Sequence, residues 1–180
     1  IYIADWFDAK VGGHGTRDEA QTGAIYRVAP QGAKLSIPHL NLATTEGQIK
    51  ALKNPSPNVR ELGRSRLVTL GEKGIPAIKT LLQDSNLFIR GRAIWVLAKM
   101  GPEGLKIVEQ QLADPNPQIR ICAFRALRHE EYKIHKYAAR LAKDPSPMVR
   151  REIALAMRYL PLEKSKDILL QIAKGYDGKA

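Results

Sequence analysis

The chain carries one seven-residue phrase four times, at a fixed spacing of 30 residues. The copies occupy residues 54–60, 84–90, 114–120 and 144–150. Three of them fit the pattern Asp/Asn-Pro-x-Pro-x-Val/Ile-Arg, and the second copy lacks both prolines. A period of this length is typical of repeat proteins, in which each unit is too small to bury its apolar face alone and stacks on its neighbours. The sequence therefore predicts a stack of similar units.

Each copy of the phrase contains the start signal of a helix. The third position always holds a residue suited to an N-cap: Ser56, Asn86, Asn116 and Ser146. In three copies a proline follows, and proline suits the first helical position because its φ is already helical and its missing N–H would have no partner there. We therefore expect a helix to begin at the same point in every unit.

The apolar residues of each period predict two helices per unit. In the first helix they recur four residues apart at Val59, Ile89, Ile119 and Val149, then Gly63, Ala93, Ala123 and Ile153, then Leu67, Leu97, Leu127 and Met157. A second helix of about 10–13 residues is expected to bury Ile78, Val108, Ala138 and Ile168, then Leu82, Leu112, Ala142 and Ile172. Gly71 and Gly101 follow the predicted first helices of the first and second repeats, at the position where a helix commonly ends in a left-handed residue. Glu131 and Pro161 replace them in the later units, so those two turns are expected to differ.

The phrase Asp-Pro-x-Pro-x-Val-Arg, followed by an alanine-containing helix, resembles a HEAT repeat of the short type common in bacterial proteins. The resemblance covers Thr45 to about Lys174. It implies an all-α fold, a HEAT-type α-solenoid or α-α superhelix, within residues 45–180. The predicted units are a half-repeat at 45–53 and repeats at 54–83, 84–113, 114–143 and 144–174. The resemblance also implies that the first helix of each unit lies on the convex side and the second on the concave side.

The half-repeat is expected to open with a capping box, in which Thr45 is the N-cap and Gln48 is its reciprocal partner.

Residues 1–44 differ in character from the repeats. Two short β-prone runs, 1–6 and 23–28, flank a glycine-rich stretch at 11–15 and predict a short N-terminal β-hairpin, followed by a linker. An isolated hairpin is marginal in water, so we expect its apolar residues to pack on a larger sheet or on the helices, with Trp95 as one contact.

The N-terminal runs also resemble the last blade of a secreted bacterial β-propeller. The family consists of large multidomain proteins with a propeller similar to quinone-dependent sugar dehydrogenases, HEAT repeats and a c-type cytochrome domain. The resemblance implies that residues 1–44 are the remnant of a propeller, that the chain is a piece of a longer protein, and that this protein is periplasmic or extracellular. The sequence has no Cys-x-x-Cys-His motif for haem. We therefore expect no catalytic residue, metal or cofactor in this chain.

The net charge of +11 falls entirely on the repeats, because residues 45–180 carry 25 basic and 14 acidic side chains. One basic column has an acidic or amide residue six positions earlier in every unit: Arg60, Arg90, Arg120 and Arg150. In HEAT arrays such a ladder is structural, with the arginines bonding turn carboxylates and carbonyls between adjacent repeats. Other residues of the first helices are candidates for binding a partner: Arg92, Trp95, Arg125, Arg128 and Arg158.

These observations predict a monomeric, non-catalytic scaffold or spacer that contacts other domains of its parent protein or an acidic protein, with no membrane span. The alternative is a nucleic-acid-binding HEAT protein that uses its basic surface. A third class is a HEAT-type di-iron enzyme, since His129-Glu130 resembles the His-Glu pairs of one such hydroxylase. That chemistry needs several converging pairs, and the sequence has one.

Overall fold

A computed structural model describes residues 1–4, 10–11, 14–15, 25–34, 39–176 and 178 of the chain. The chain forms two compact units, Ile1–His39 and Leu40–Ala180. The second unit begins at Leu40, five residues before the predicted start of the helical array, and Leu42 and Thr44 hydrogen-bond with its first helix.

The first unit contains the predicted hairpin. Strands β1 (Tyr2–Ala4) and β4 (Ile25–Arg27) pair antiparallel, with Ile3 opposite Tyr26. A second antiparallel pair, which the sequence did not predict, joins β2 (Lys10–Val11) and β3 (His14–Gly15). The side chains of β1 and β4 are exposed, with Tyr2 at 73% and Ile25 at 77%. Trp6 and much of the glycine-rich stretch lie outside the described residues.

The second unit is an α-solenoid that alternates two kinds of helix. The half-repeat supplies α1 (Thr45–Lys53). The first helices of the four repeats are α2 (Pro57–Thr69), α4 (Leu87–Ala98), α6 (Pro117–His129) and α8 (Pro147–Met157). The second helices are α3 (Ile75–Lys79), α5 (Gly101–Gln110), α7 (Ile134–Leu141) and α9 (Leu162–Lys174). The described residues contain no helix that is both long enough and apolar enough to cross a bilayer.

The first helices begin where the sequence predicts. Their N-caps are the expected serines and asparagines, and the side chains of Asn86 and Asn116 accept hydrogen bonds from Phe88 N and Gln118 N. Ser56 and Ser146 hold the N-cap position without a side-chain bond. In all four units the side chain of the first residue of the phrase accepts from the backbone N–H two residues on, at 2.8–2.9 Å, so an Asx turn sets the entry into each first helix.

The capping box of α1 was assigned one residue too late. Thr44 is the N-cap, and its hydroxyl accepts from Gly47 N at 3.2 Å. Gln48 Nε2 donates to Leu42 O at 2.9 Å instead of reaching back to the cap backbone. Two adjacent threonines, Thr44 and Thr45, lie at the start of this helix, and the local pattern alone does not decide which of them is the N-cap.

Two of the four second helices are shorter than predicted: α3 has five residues and α7 has eight. In the first repeat, Gly71–Gly74 and Thr80–Gln83 are 3₁₀ segments on either side of the five-residue α3. In the second repeat, Gln111–Ala113 continues α5 in the same way. Helices α5 and α9 reach the expected length, at 10 and 13 residues. The apolar periodicity predicts the buried face of these segments, but it does not distinguish an α turn from a 3₁₀ turn.

The turn after α6 was expected to differ from the two glycine turns, and it does so in part: Glu131 is left-handed as the glycines are, but Lys133 is a second left-handed residue, with φ of 49°. Gly71 and Gly101 have φ of 56° and 82°, and Glu131 has φ of 53°. Glu131 N donates to Arg128 O and Tyr132 N to Leu127 O, which together form a Schellman motif. The turn after α8 does differ, since Pro161 is extended, with φ of −55° and ψ of 148°.

Replacing Glu131 by glycine is expected to raise the free energy of unfolding by about 0.5–1 kcal/mol, because an L side chain is strained at this φ. Thermal unfolding followed by circular dichroism measures the change. Glu130→Gly is the matched control: Glu130 has φ of −90° and accepts a bond from Lys99 Nζ at 2.7 Å, so its loss is expected to destabilise. If the Glu131→Gly protein were no more stable than the wild type, the left-handed backbone at Glu131 would not be strained.

The core runs continuously through the stack and is formed by most residues of the predicted columns, while Val59, Ile89 and Ile172 are half-buried. The third column of the first helices is buried in every repeat, at 0–1% exposure: Leu67, Leu97, Leu127 and Met157. The main column of the second helices is equally buried: Ile78, Val108, Ala138 and Ile168. Each unit thus contributes one layer to a shared core, as expected for a solenoid.

Candidate functional site

A groove of about 970 Å³ runs along the first helices of all four repeats. Its walls come from α2, α4, α6 and α8, with Leu52 of α1 at one end. The first helices therefore line the concave side of the solenoid, and the expectation that they lie on the convex side was wrong. Gly91 of α4 faces α6, since a Cβ atom added there would make an ordinary contact with Cys122 Sγ, at 3.6 Å.

The groove combines an apolar surface with an excess of positive charge. Its apolar side chains include Phe88, Trp95, Ile121 and Met148. Phe88 is 78% exposed and Met148 is 42% exposed, and exposed apolar side chains grouped in a groove mark a candidate binding site. Five arginines and two glutamates are the charged residues that line it: Arg60, Arg64, Arg92, Arg125, Arg151, Glu61 and Glu152.

The arginine column of the repeated phrase lies at the joints between units. Arg120 Nε and Nη2 donate to both carboxylate oxygens of Asp144, at 2.8 and 2.6 Å. Arg90 pairs with Asp114 at one point, through Nη2, and its buried Nε has no partner among the described residues. Arg60, Arg120 and Arg150 each donate Nη1 to the two turn carbonyls of their own repeat. The carboxylate partner is thus in the next repeat, 24 residues on, and the carbonyl partners are in the same repeat.

The first and last members of this column have no carboxylate partner among the described residues. Lys53 Nζ takes the place at Asp84 that Arg60 would occupy, at 2.9 Å. The position 24 residues after Arg150 is Lys174, which carries the wrong charge.

Two of the predicted partner-binding residues, Arg92 and Trp95, lie side by side in the groove but differ in their contacts. Arg92 Nη1 donates to Leu52 O at 2.9 Å, so it caps the carbonyl end of α1. Burial, together with the neighbouring Arg60, lowers the pKa of Arg92. The Trp95 ring packs edge-on against His129, with 5.7 Å between ring centroids.

Arg125, the third of these residues in the groove, forms a two-point ion pair with Glu152 across α6 and α8. Its Nε and Nη2 donate to the two carboxylate oxygens at 2.9 and 2.5 Å. The Arg125 side chain is 52% exposed and that of Glu152 is 10% exposed. The hydrogen bonds from Arg125 lower the pKa of the Glu152 carboxyl below its ordinary value of 4.5.

This ion pair predicts a pH-dependent contribution to stability. A carboxyl whose pKa is lowered by folding stabilises the protein above its unfolded-state pKa, and this stabilisation is lost as the pH falls through the folded-state pKa. The difference in Tm between wild type and Glu152→Gln should therefore be largest at neutral pH and shrink below about pH 4. Glu61→Gln, which removes an exposed pair with Arg64, is expected to change Tm little at neutral pH. A Glu152→Gln difference independent of pH would contradict the assignment.

The remaining two predicted partner-binding residues lie together outside the groove, against Tyr159. The Arg128 and Arg158 guanidinium carbons lie 5.7 and 4.7 Å from the centroid of the Tyr159 ring, and Arg158 also bonds the tyrosine hydroxyl. Tyr159 itself is 66% exposed. The sequence analysis did not single out Phe88, Met148, Arg151 or Tyr159. The exposure of Phe88 could have been predicted, because the second residue of α4 lies opposite the buried stripe of that helix.

Groups able to do chemistry are few among the described residues. Burial raises the pKa of the Cys122 thiol to about 11, which keeps it protonated at neutral pH. His129 Nδ1 lies 2.8 Å from Glu130 Oε1, and that oxygen also accepts from Lys99. Within the described ranges, no three His, Cys, Asp or Glu side chains are grouped as metal ligands.

Comparison with known proteins agrees with the helical-repeat fold. The family model for HEAT repeats matches residues 45–128. No curated protein matches the chain. Among solved structures, a chain from the complex of CpcE and CpcF of phycocyanin lyase from Nostoc sp. PCC7120 is similar, with a TM-score of 0.51 and 18% identity over 77% of this chain and 93% of the other. The helical pairs, the register of the repeats and these matches together identify the fold as a HEAT-type α-solenoid.

Proposed function

We propose that this chain is a non-catalytic protein-binding scaffold and that its concave groove docks an acidic, amphipathic helical segment of a partner. HEAT repeats as a class suggest a helical scaffold for protein interactions. The observation that carries the proposal is the exposure of Phe88 and Met148 inside a groove with five arginines and two glutamates. A partner helix with an apolar stripe flanked by acidic residues would cover the exposed apolar side chains and complement the excess of arginines.

The groove suits a protein better than a phosphate backbone. Two of its arginines, Arg64 and Arg125, are already paired with glutamates, and Arg60 and Arg92 donate to backbone carbonyls. Arg151 forms no ion pair with another described residue and is exposed. A duplex would meet two carboxylates on this surface and would leave its exposed apolar side chains uncovered.

The N-terminal resemblance supports a narrower form of the proposal. In it, the scaffold holds neighbouring domains of an exported, oxidoreductase-like protein at a set distance, and the docked segment belongs to one of those domains. The exposed apolar side chains of β1 and β4 support a hairpin that belongs to a larger sheet. This setting would place the protein in the periplasm or outside the cell.

A titration of labelled probes by fluorescence anisotropy tests the groove. The first probe is a helical peptide about 18 residues long, with leucine and phenylalanine on one face and glutamate on the other. The second probe has lysine in place of glutamate, and the third is a duplex DNA. We expect the acidic peptide to bind at physiological salt more tightly than either of the others. Equal binding of the lysine peptide, or tighter binding of DNA, would overturn the proposal and, for DNA, favour the nucleic-acid alternative.

Variants locate the binding site on the solenoid. Phe88→Ala and Arg151→Gln are each expected to weaken binding of the acidic peptide about 10-fold. The matched controls lie on the outer helices: Leu170→Ala of α9, where Leu170 is 53% exposed, and Lys106→Gln of α5, where the lysine is 63% exposed. These are expected to leave binding unchanged. Controls that weaken binding as much as the groove variants would show non-specific attraction.

A further inference from the structure

We infer that Gly91 forms the floor of a pocket within the groove, and that this pocket receives one large apolar side chain of the partner helix as its anchor. Gly91 lies in the first half of α4, the first helix of the second repeat, and is half-buried. The inference rests on the proposed function, because it names the part of the groove that selects the partner.

The position of Gly91 carries a larger side chain in every other repeat. The spacing of 30 residues places Glu61, Ile121 and Arg151 at the equivalent positions of α2, α6 and α8. All four residues line the groove. Glycine weakens the interior of a helix relative to alanine, so this residue works against the stability of α4. The second repeat therefore lacks a side chain at a point of the groove where the other repeats have one.

Nothing within the described part of the chain requires a glycine at this position. Gly91 is helical and does not have the positive φ that favours glycine. At Gly63 and Gly104, an added Cβ atom would lie 2.5 and 2.1 Å from a backbone atom of the preceding helix. At Gly91, the one atom of another helix within 4 Å of the added Cβ would be Cys122 Sγ, at 3.6 Å. The space above Gly91 is therefore open to the groove.

The walls around this space are apolar. Phe88 and Trp95 lie three residues before and four residues after Gly91, so the three share one face of α4. Ile121 and Cys122 line the groove from α6, and the Cys122 thiol donates to Gly91 O at 3.8 Å. None of these four wall residues is fully buried. A hole among four side chains is the geometry that receives a side chain of a facing helix in coiled coils.

These walls select an apolar anchor over a charged one. A carboxylate buried among them would lose its hydration, whereas a leucine or phenylalanine side chain would bury apolar surface, including part of the exposed Phe88 ring. Arg92 follows Gly91 in α4 and also lines the groove, so glutamates of the partner helix find positive charge beside the pocket. We expect the anchor to be the largest single contribution of the partner helix to binding.

Gly91→Leu fills the pocket from within the protein, and its affinity for the acidic peptide probe is measured by fluorescence anisotropy. We expect binding at least about 10-fold weaker than for the wild type. Gly91→Ala adds one methyl group and should weaken binding less. Thr80→Leu, at an exposed position after α3, is the control and should leave binding unchanged.

The pocket and the proposed function fail in different ways. Equal affinity of Gly91→Leu and the wild type would refute the pocket and leave the groove as a docking surface. A wild-type protein that does not bind the acidic peptide would overturn the proposed function, and the pocket with it.

A set of shortened side chains on the peptide distinguishes a filled pocket from a misfolded variant. Each peptide of the set has one residue of its apolar face replaced by alanine. For the wild type, one of these replacements should weaken binding the most, and that position is the anchor. For Gly91→Leu, the same peptide should bind at least as tightly as the parent peptide, because alanine leaves room for the new leucine. If no peptide of the set narrows the difference between the two proteins, the pocket is refuted.

Trp95 gives a second measurement that needs no change at Gly91. The chain has two tryptophans, so Trp6→Phe leaves Trp95 as the single indole fluorophore. Saturation with the acidic peptide should shift its emission to shorter wavelength and protect it from acrylamide, because the anchor displaces water from the wall of the pocket. The peptide whose anchor is replaced by alanine should give a smaller shift at saturation. Equal shifts with the two peptides would contradict the pocket.

Discussion

Replacing Arg120 by methionine is expected to lower the free energy of unfolding by about 3–5 kcal/mol. Arg120 is 9% exposed and binds four acceptors: both carboxylate oxygens of Asp144 and the carbonyls of Asp114 and Pro115, at 2.6–3.1 Å. Methionine would leave the Asp144 carboxylate, 5% exposed, with the Ser146 N–H as its remaining described donor. An uncompensated buried charge is costly, so the loss should exceed the value of an ordinary hydrogen bond.

Urea and thermal unfolding measure this loss, and Tm should fall by about 6–20 °C. Arg60→Met is the matched control from the same column. Arg60 donates to the carbonyls of Asn54 and Pro55, with no described carboxylate, so its replacement should cost less than about 2 kcal/mol. Equal losses for the two variants would show that the carboxylate at the joint adds nothing to the stability of the stack.

The second large effect is a difference in sign between two glycine-to-alanine replacements. A Cβ atom at Gly63 would lie 2.5 Å from Leu52 N and 2.7 Å from Gln48 O, which are backbone atoms of α1. Gly63→Ala should therefore destabilise by about 1–3 kcal/mol, despite the better helix propensity of alanine. A Cβ atom at Gly91 would have its nearest neighbour, Cys122 Sγ, at an ordinary 3.6 Å. Gly91→Ala should therefore stabilise by about 0.5–1 kcal/mol.

Chemical denaturation of the two variants under the same conditions gives the comparison. If Gly63→Ala were as stable as the wild type, α1 would not pack on α2 as closely as the structure has it. If Gly91→Ala were destabilising, α4 and α6 would lie closer together at Gly91 than they do in the structure.

Much of the solenoid could be predicted because the local signals recur in every unit. The cap residue and the following proline gave the starts of α2, α6 and α8, and the same column gave α4 without the proline. The spacing of apolar residues gave both buried columns. Glu131 shows the limit of such signals: glycine predicts a left-handed residue, but its absence does not exclude one when the Schellman hydrogen bonds hold the turn.

The curvature of the solenoid could not be predicted from the residues. Periodicity identifies the face of each helix that is buried, but not which of the two helical rows lies on the inside of the curve, since that depends on how closely neighbouring helices pack. The groove residues Phe88 and Met148 were missed for this reason. The prediction of the ladder was similarly incomplete. It rested on the acid or amide six residues before each arginine, whereas the carboxylate partners of Arg90 and Arg120 are 24 residues after it.

The role of the groove as a docking surface is tested most directly by site-specific photocrosslinking. The photoreactive residue p-benzoylphenylalanine is placed at Phe88 in the groove and, in a separate variant, at Lys106 on the outer helix α5. Each variant is irradiated with the acidic amphipathic peptide, and the products are mapped by mass spectrometry. The account predicts a crosslinked peptide from position 88, competed by unlabelled peptide, and none from position 106. Crosslinking at 106 alone, or equally at both positions, would contradict it.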